Sequence, residues 1–261
     1  MPLYGVLAYI ATVAVVFTFR LLSEDYVEAT NDGVIACVCL SAAWYFRRVT
    51  RRFSKMDATR RCWKFLSLGA LFHGTGHLVY SIAEFTIGDF VSAPSPPDIL
   101  IYCGELCYIF GLSSFLSHLN RSAFLPPSNR KIIANGLIVV LAVLSVYFVM
   151  IPAWTDETTS IWARLINSIF PIIDLILAGI FAHLFLAFYT MGNSPLARPW
   201  IILIASYVVF FAADNTYLYL DATGQYHPYA FPNPGWGLAY MLTAYAAREQ
   251  LQLMRSFDEG E

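Results

Sequence analysis

The chain has 261 residues, of which 58% are hydrophobic and 13% charged, against about 45–50% and about 25% in soluble domains. Its mean hydropathy is +0.58 and its net charge is −2. These values exclude an ordinary soluble enzyme, a disordered tail and a nucleic-acid-binding module, which needs a basic face for phosphate. A bilayer-spanning helix takes about 20 apolar residues, so eight of them fill the chain and leave no room for a separate soluble domain.

The apolar runs predict an all-α integral membrane protein with eight transmembrane helices, a single polytopic domain over residues 1–261. In chain order the spans are Leu3–Leu22, Tyr26–Phe46, Phe65–Phe85, Asp98–Ser117, Ile132–Ile151, Leu165–Tyr189, Trp200–Leu220 and Pro234–Leu253. The first lacks a basic leader and a small-residue cleavage site, and is expected to be retained. Glu28, Asn31 and Asp32 crowd the start of the second, so its apolar core is expected to begin at Gly33. Prolines fall between the runs, at Pro94, Pro96 and Pro97, at Pro126 and Pro127, at Pro152, at Pro195 and Pro199, and at Pro228, Pro232 and Pro234, where helices should end.

Of the 16 positive residues, all but Arg20 and Arg164 fall in one alternating set of loops or in the C-terminal tail. The basic run from Arg47 to Lys64 is the densest part of that set. Positive charge marks the cytoplasmic side. The expected localisation is therefore the cell membrane, multi-pass, with both termini cytoplasmic. Five cysteines, Cys37, Cys39, Cys62, Cys103 and Cys107, lie in or beside spans and do not read as a disulfide framework. Cys103 and Cys107 share a helix face, as packing residues or as a metal pair.

Two stretches resemble each other about 137 positions apart. One runs from Gly76 to Tyr80, then Gly88, the proline-rich 92–97, Tyr102 and Tyr108; the other from Ala213 to Tyr217, then Gly224, Pro228–Pro234, Trp236 and Tyr240. Each is an outgoing helix, a turn rich in Gly and Pro, and an aromatic returning helix. Four spans separate them, an even number, so the repeats are parallel rather than inverted. The expectation is a 4+4 architecture with halves 1–117 and 118–253.

Pro94–Leu112 reads PSPPDILIYCGELCYIFGL. It resembles the PS-x-x-D…Y…G…GL hairpin of multi-pass membrane sensor domains found N-terminal to bacterial diguanylate cyclases and cyclic-di-GMP phosphodiesterases. Trp63–Tyr80, the FPIID of Phe170–Asp174 and the closing hairpin Ala213–Ala247 are similar to the same family. His77, Asn233 and Ile101 depart from its pattern, standing where an acid, an Asp and an aromatic are usual. The resemblance implies a sensor. With about eight residues after the last span, its signal is expected to pass to a separate cytoplasmic output protein or a membrane complex.

Ionisable groups at membrane depth are costly and usually face a bundle interior or a wet cavity. Here they are His73, His77, Glu105, Asp174, His183 and Asp214, with Asn215 beside the last. At about 1.5 Å per residue, His77, Glu105, Asp174 and Asp214 reach similar depths in the outer half. The candidate ligand site is His73, His77, Glu105, Asp174, Asp214 and Asn215. His73 and His77, at i and i+4, are also spaced as two metal ligands on one helix. The alternative is that these groups only hydrogen-bond one another and hold the bundle together. The aromatic residues near the outer boundary read as interfacial anchors, or as the wall of a pocket.

No lysine lies within a span, so a retinal Schiff base is excluded, and no cofactor is indicated. No Walker, Gly-x-Ser-x-Gly or His-Glu-x-x-His motif is present. The leading expectation is a non-enzymatic membrane sensor that binds a small ligand, metal or proton, with membrane lipid as its medium and no nucleic acid as partner. A metal-dependent hydrolase acting on lipid inside the membrane and a structural or assembly subunit of a larger complex stay open.

Overall fold

The computed structural model describes residues 3–87, 95–121, 128–155, 161–189, 191–192 and 194–258. Among the described residues every element is helical. The helices are α1 (Leu3–Phe19), α2 (Glu24–Thr50), α3 (Ala58–Ile87), α4 (Pro96–Arg121), α5, α6 (Ile161–Tyr189), α7 (Arg198–Ala222) and α8 (Pro232–Asp258). α5 runs from Ser128 to Ser145, passes through a π-helical turn at Val146–Met150 and ends with Ile151–Thr155. The helix thus continues past Pro152 instead of ending there, the π-helical turn preceding the residue that lacks an N–H. Each predicted span falls on one of these helices. Gly88, positions 92–94, Pro126 and Pro127 lie outside the described residues.

The second predicted span, Tyr26–Phe46, lies within α2, whose first nine residues, 24–32, carry the polar groups ahead of the apolar part. Glu28 and Asp32 sit one turn apart on the same face, and that face turns toward a polar cavity, so their charge does not end the helix.

Local chemistry fixes the helix ends. Arg20 closes α1 with φ 45°, a left-handed conformation that costs about 1–3 kcal/mol for a residue with a side chain. A bond from Leu21 N to the Val16 carbonyl and the stacking of the Arg20 guanidinium over Tyr229 offset it. Asp57 caps α3 by accepting from Thr59 N at 2.7 Å.

α4 opens on a capping box. Ser95 N and Ser95 Oγ both donate to Asp98 Oδ2 at 2.8 Å, and Pro96 and Pro97 follow the cap, where a missing N–H costs nothing. Tyr80 on α3 donates to Asp98 Oδ1 as well. The PS-x-x-D string is thus a helix start that also ties α4 to α3. Asp98→Ala removes the cap and the acceptor of Tyr80, and is expected to lower stability by about 1–2 kcal/mol in denaturant unfolding in detergent. No loss would mean that the cap is dispensable.

Four helical stretches are long and apolar enough to cross a membrane: Pro96–Arg121, Arg130–Thr155, Ser168–Tyr189 and Arg198–Ala222. The outermost of these is the most apolar. α5 carries no charge from Ile132 to Thr155, yet Ile133 is 72% exposed and Val139 62%. A soluble protein buries such a helix. α2 packs on α3 and on α8, α3 on α4, α8 on α7, and α6 on both α4 and α7, so that six helices form a ring, with α5 against α6 and α1 leaning on α8. The apolar α5 residues thus face outward while His73, His77, Asp98, Glu105 and Asp174 are buried within the bundle, the arrangement a bilayer favours.

α3 and α4 approach closely through glycines. A Cβ on Gly104 would strike the His73 ring and lie 3.1 Å from the Gly69 carbonyl; one on Gly69 would strike Tyr108 and lie 3.0 Å from the Gly104 carbonyl. Small residues at such a crossing let backbones meet.

Away from the capped end, five helices converge on aromatic rings. Trp200 on α7 lies between Phe115 on α4 and Phe188 on α6, with centroids at 4.4 and 5.1 Å and rings nearly parallel. Trp63 on α3 packs on Trp200 at 4.8 Å, and Phe46 on α2 packs on Trp63 at 5.6 Å. Nearby, Arg198 pairs with Glu249 at 3.2 Å and donates to the Tyr245 hydroxyl at 3.1 Å, tying α7 to α8. All five cysteines are free.

Candidate functional site

At the opposite end from the arginine-rich loops, the bundle encloses a cavity of about 520 Å³. The positions of the helices explain its polarity. α2 begins there and contributes Glu28 and Asp32; α3 ends there and contributes His77, Tyr80 and Glu84. α4 begins there with Asp98 and reaches inward to Glu105. α7 ends there, presenting Asp214, Tyr217 and Asp221, and α6 supplies Asp174 from the side. Eight carboxylates therefore border one space, and no lysine or arginine is among its lining residues.

The four residues placed at similar depth by sequence, His77, Glu105, Asp174 and Asp214, all line this cavity. Asp174 is 2% exposed and Glu105 4%. Asp174 Oδ2 and Glu105 Oε2 are buried without a hydrogen-bond partner, as is Glu84 Oε2 nearer the mouth. A buried unsatisfied polar atom costs about 1–3 kcal/mol, and more when charged. Asp214 accepts from the Trp236 indole N–H. His77 Nδ1 lies 2.9 Å from Asp32 Oδ1, pairing α3 with α2. Pro171 leaves α6 continuous, and the Asp174 carbonyl accepts from the Tyr207 hydroxyl.

Two sequence candidates sit elsewhere. Asn215 points away from the cavity: its Oδ1 accepts from Ser145 at 2.7 Å and its Nδ2 donates to the Phe211 carbonyl at 2.9 Å. It anchors α7 to α5 just before the π-helical turn. His73 is fully buried beneath the cavity floor. Its Nδ1 shares a hydrogen bond with Tyr240 Oη at 2.6 Å, and its Nε2 lies 3.0 Å from Glu105 Oε1, close but out of hydrogen-bond alignment. Both ring nitrogens thus face protein groups. The His73 and His77 rings lie 6.5 Å apart, each turned to its own carboxylate. Among the described residues no three His, Cys, Asp or Glu side chains gather as metal ligands. His183 is occupied with the Gly179 carbonyl on its own helix, at 2.7 Å.

Aromatic residues wall the cavity rather than only mark a boundary. Tyr80, Phe170, Phe210, Tyr217, Trp236 and Tyr240 line it. At the mouth, Tyr226 in the turn between α7 and α8 donates to Glu28 Oε1 at 2.6 Å, and Asn233 donates to Tyr226 Oη at 3.0 Å and to the Pro228 carbonyl at 2.7 Å. Burial, with Glu28 alongside, raises the Tyr226 hydroxyl above its ordinary range and keeps it a donor.

No family model, curated protein or solved structure matches the chain. Its chemistry is therefore read from the cavity itself.

Sequence reasoning missed Asp32, Glu28, Glu84, Asp98 and Asp221 as members of this site. One signal pointed to two of them. Glu84 and Asp221 stand the same 137 positions apart as His77 and Asp214, so extending the repeat by two helical turns would have found both.

Proposed function

We propose that the protein is an eight-pass integral membrane module of the sensor type, with both termini cytoplasmic, that binds a small ligand in its acidic cavity from the outer side. One observation carries this reading: Asp174 and Glu105 present buried, unpartnered carboxylate oxygens to a space large enough for a small molecule. Most groups kept only to hold a bundle together are satisfied within it. These two oxygens are distinguished from other unpartnered atoms, such as Trp63 Nε1 and Tyr108 Oη, by belonging to carboxyl groups that line the cavity. The lipid-hydrolase reading has less support, because His73 and His77 are each engaged with a different carboxylate and share no third ligand among the described residues.

The 4+4 repeat belongs to the same proposal, and the cavity supports it. His77 and Asp214, Tyr80 and Tyr217, and Glu84 and Asp221 are equivalent positions in the two stretches, and every one of them lines the cavity. On the returning helices Asp98 and Asn233, Ile101 and Trp236, and Glu105 and Tyr240 do the same at a separation of 135. Trp63 and Trp200, again 137 apart, touch each other. These are the relations expected around a two-fold axis that runs through the cavity and the aromatic cluster. A ligand between two such halves would alter their mutual packing, which is a route for a signal to a separate cytoplasmic partner.

Accessibility tests the reading. In a cysteine-free background, Asp214→Cys is expected to react with a membrane-impermeant thiol reagent added to intact cells, whereas Leu66→Cys, in the packed interior, is not. Reaction of Asp214→Cys only after permeabilisation would place the mouth in the cytoplasm and overturn the topology.

A further inference from the structure

The acids of the cavity are arranged in two levels. On α3 the lining residues His77 and Glu84 are seven positions apart; on α4 Asp98 and Glu105 are, and on α7 Asp214 and Asp221. Seven residues are almost two whole turns, so both members share a face, and they are separated by about 10 Å along the axis. α3 and α7 end at the mouth while α4 begins there. The outer level therefore holds Glu84, Asp98 and Asp221, and the inner level holds His77, Glu105 and Asp214, joined by Asp174 from α6.

The two levels are not equally spent. Asp98 is committed to its capping box. In the outer level Glu84 Oε2 is unpartnered, and Asp221 is exposed at the mouth; in the inner level Asp174 Oδ2 and Glu105 Oε2 are unpartnered. Carboxyl oxygens thus await a partner at both levels, and the lining holds no lysine or arginine, its one basic group being His77, which is paired with Asp32. Between the levels stand Tyr80, Tyr217 and Trp236, whose rings favour both alkyl chains and ammonium groups.

We infer that the cavity binds a linear aliphatic polyamine, with one terminal ammonium group among Asp174, Glu105 and Asp214 and the other at Glu84 and Asp221, its alkyl stem lying along the tyrosine and tryptophan rings. This rests on the reading of the cavity as an outward-facing ligand site. A compact metal ion would neither fill 520 Å³ nor find three gathered ligands among the described residues. A monoamine would neutralise one level and leave the other.

The test uses the full chain in nanodiscs of zwitterionic lipid, titrated calorimetrically with spermidine, butylamine and magnesium chloride. Spermidine is expected to bind saturably, one per chain, and about tenfold or more tighter than butylamine, because its second ammonium group adds charged hydrogen bonds. Asp174→Asn should weaken both amines. Glu84→Gln should weaken spermidine by about tenfold and leave butylamine unchanged, a difference that loss of fold would not produce. Equal affinity for the two amines overturns the two-level ligand, and tighter binding of magnesium than of spermidine overturns the amine. If neither amine binds while Asp214→Cys is still labelled from outside, the ligand class is wrong and the outward-facing cavity stands. If that labelling also fails, both readings fall.

Discussion

Trp200→Ala should lower the unfolding free energy by about 3–5 kcal/mol, the range for truncating a large buried aromatic. The indole is 4% exposed and sits between two near-parallel phenyl rings from α4 and α6, with Trp63 of α3 against it. Removing it empties the aromatic cluster through which α3, α4, α6 and α7 meet away from the cavity, and Phe46 of α2 loses its support at one remove. The helices cannot close on the gap without moving the arginine-rich loops beside it. Trp200→Phe keeps a stacking ring and should cost clearly less. Denaturant unfolding in detergent, followed by circular dichroism, measures both. A loss within about 1 kcal/mol for the alanine variant would show that the stack fills space without holding the helices together.

Asp174→Asn and Glu105→Gln, made separately, should raise the stability of the ligand-free chain, by about 1–3 kcal/mol each. Each keeps volume and an acceptor oxygen but replaces a buried carboxyl group that has one oxygen without a hydrogen-bond partner, Asp174 Oδ2 or Glu105 Oε2. A side chain retained for structure shows the opposite sign, since its removal breaks a satisfied contact. Sites built for ligands carry such strain until the ligand arrives. Thermal melts of the two variants beside wild type decide the matter. A fall of more than about 1 kcal/mol in both would return these residues to a structural role.

Hydrophobic runs made the helices legible, because a span of about 20 apolar residues admits few readings. The start of α2 was legible to within two residues, at Tyr26 against Glu24, but the part played by Glu28 and Asp32 was not. A run-based reading sees them only as crowding the span, whereas the fold sets them on its cavity face. Counting depth along each helix brought His77, Glu105, Asp174 and Asp214 to one level, and the fold places them around one space. Depth carries no azimuth. His73 and Asn215 have depths that suit the site, but one lies under its floor against Tyr240 and the other turns outward to Ser145. The aromatic stack was invisible for a different reason: Phe46, Trp63, Phe115, Phe188 and Trp200 come from five helices, and nothing local in the chain relates them.

His73 links the cavity floor to α8 through a choice of tautomer. A neutral imidazole carries one N–H. With Glu105 ionised, the carboxylate 3.0 Å from Nε2 attracts the proton to that nitrogen by its charge, although the two are not aligned as a hydrogen bond, and Nδ1 is left to accept from Tyr240. When Glu105 is neutralised, that preference disappears; a proton on Nδ1 then donates to Tyr240 Oη, and the tyrosine hydroxyl must swing its own hydrogen elsewhere. A change of charge on α4 is thereby written as the reversal of a single hydrogen bond on α8, with no backbone having to move. Nitrogen-15 shifts of the imidazole distinguish the two tautomers directly, so the state of the cavity floor can be followed from a ring that solvent never reaches.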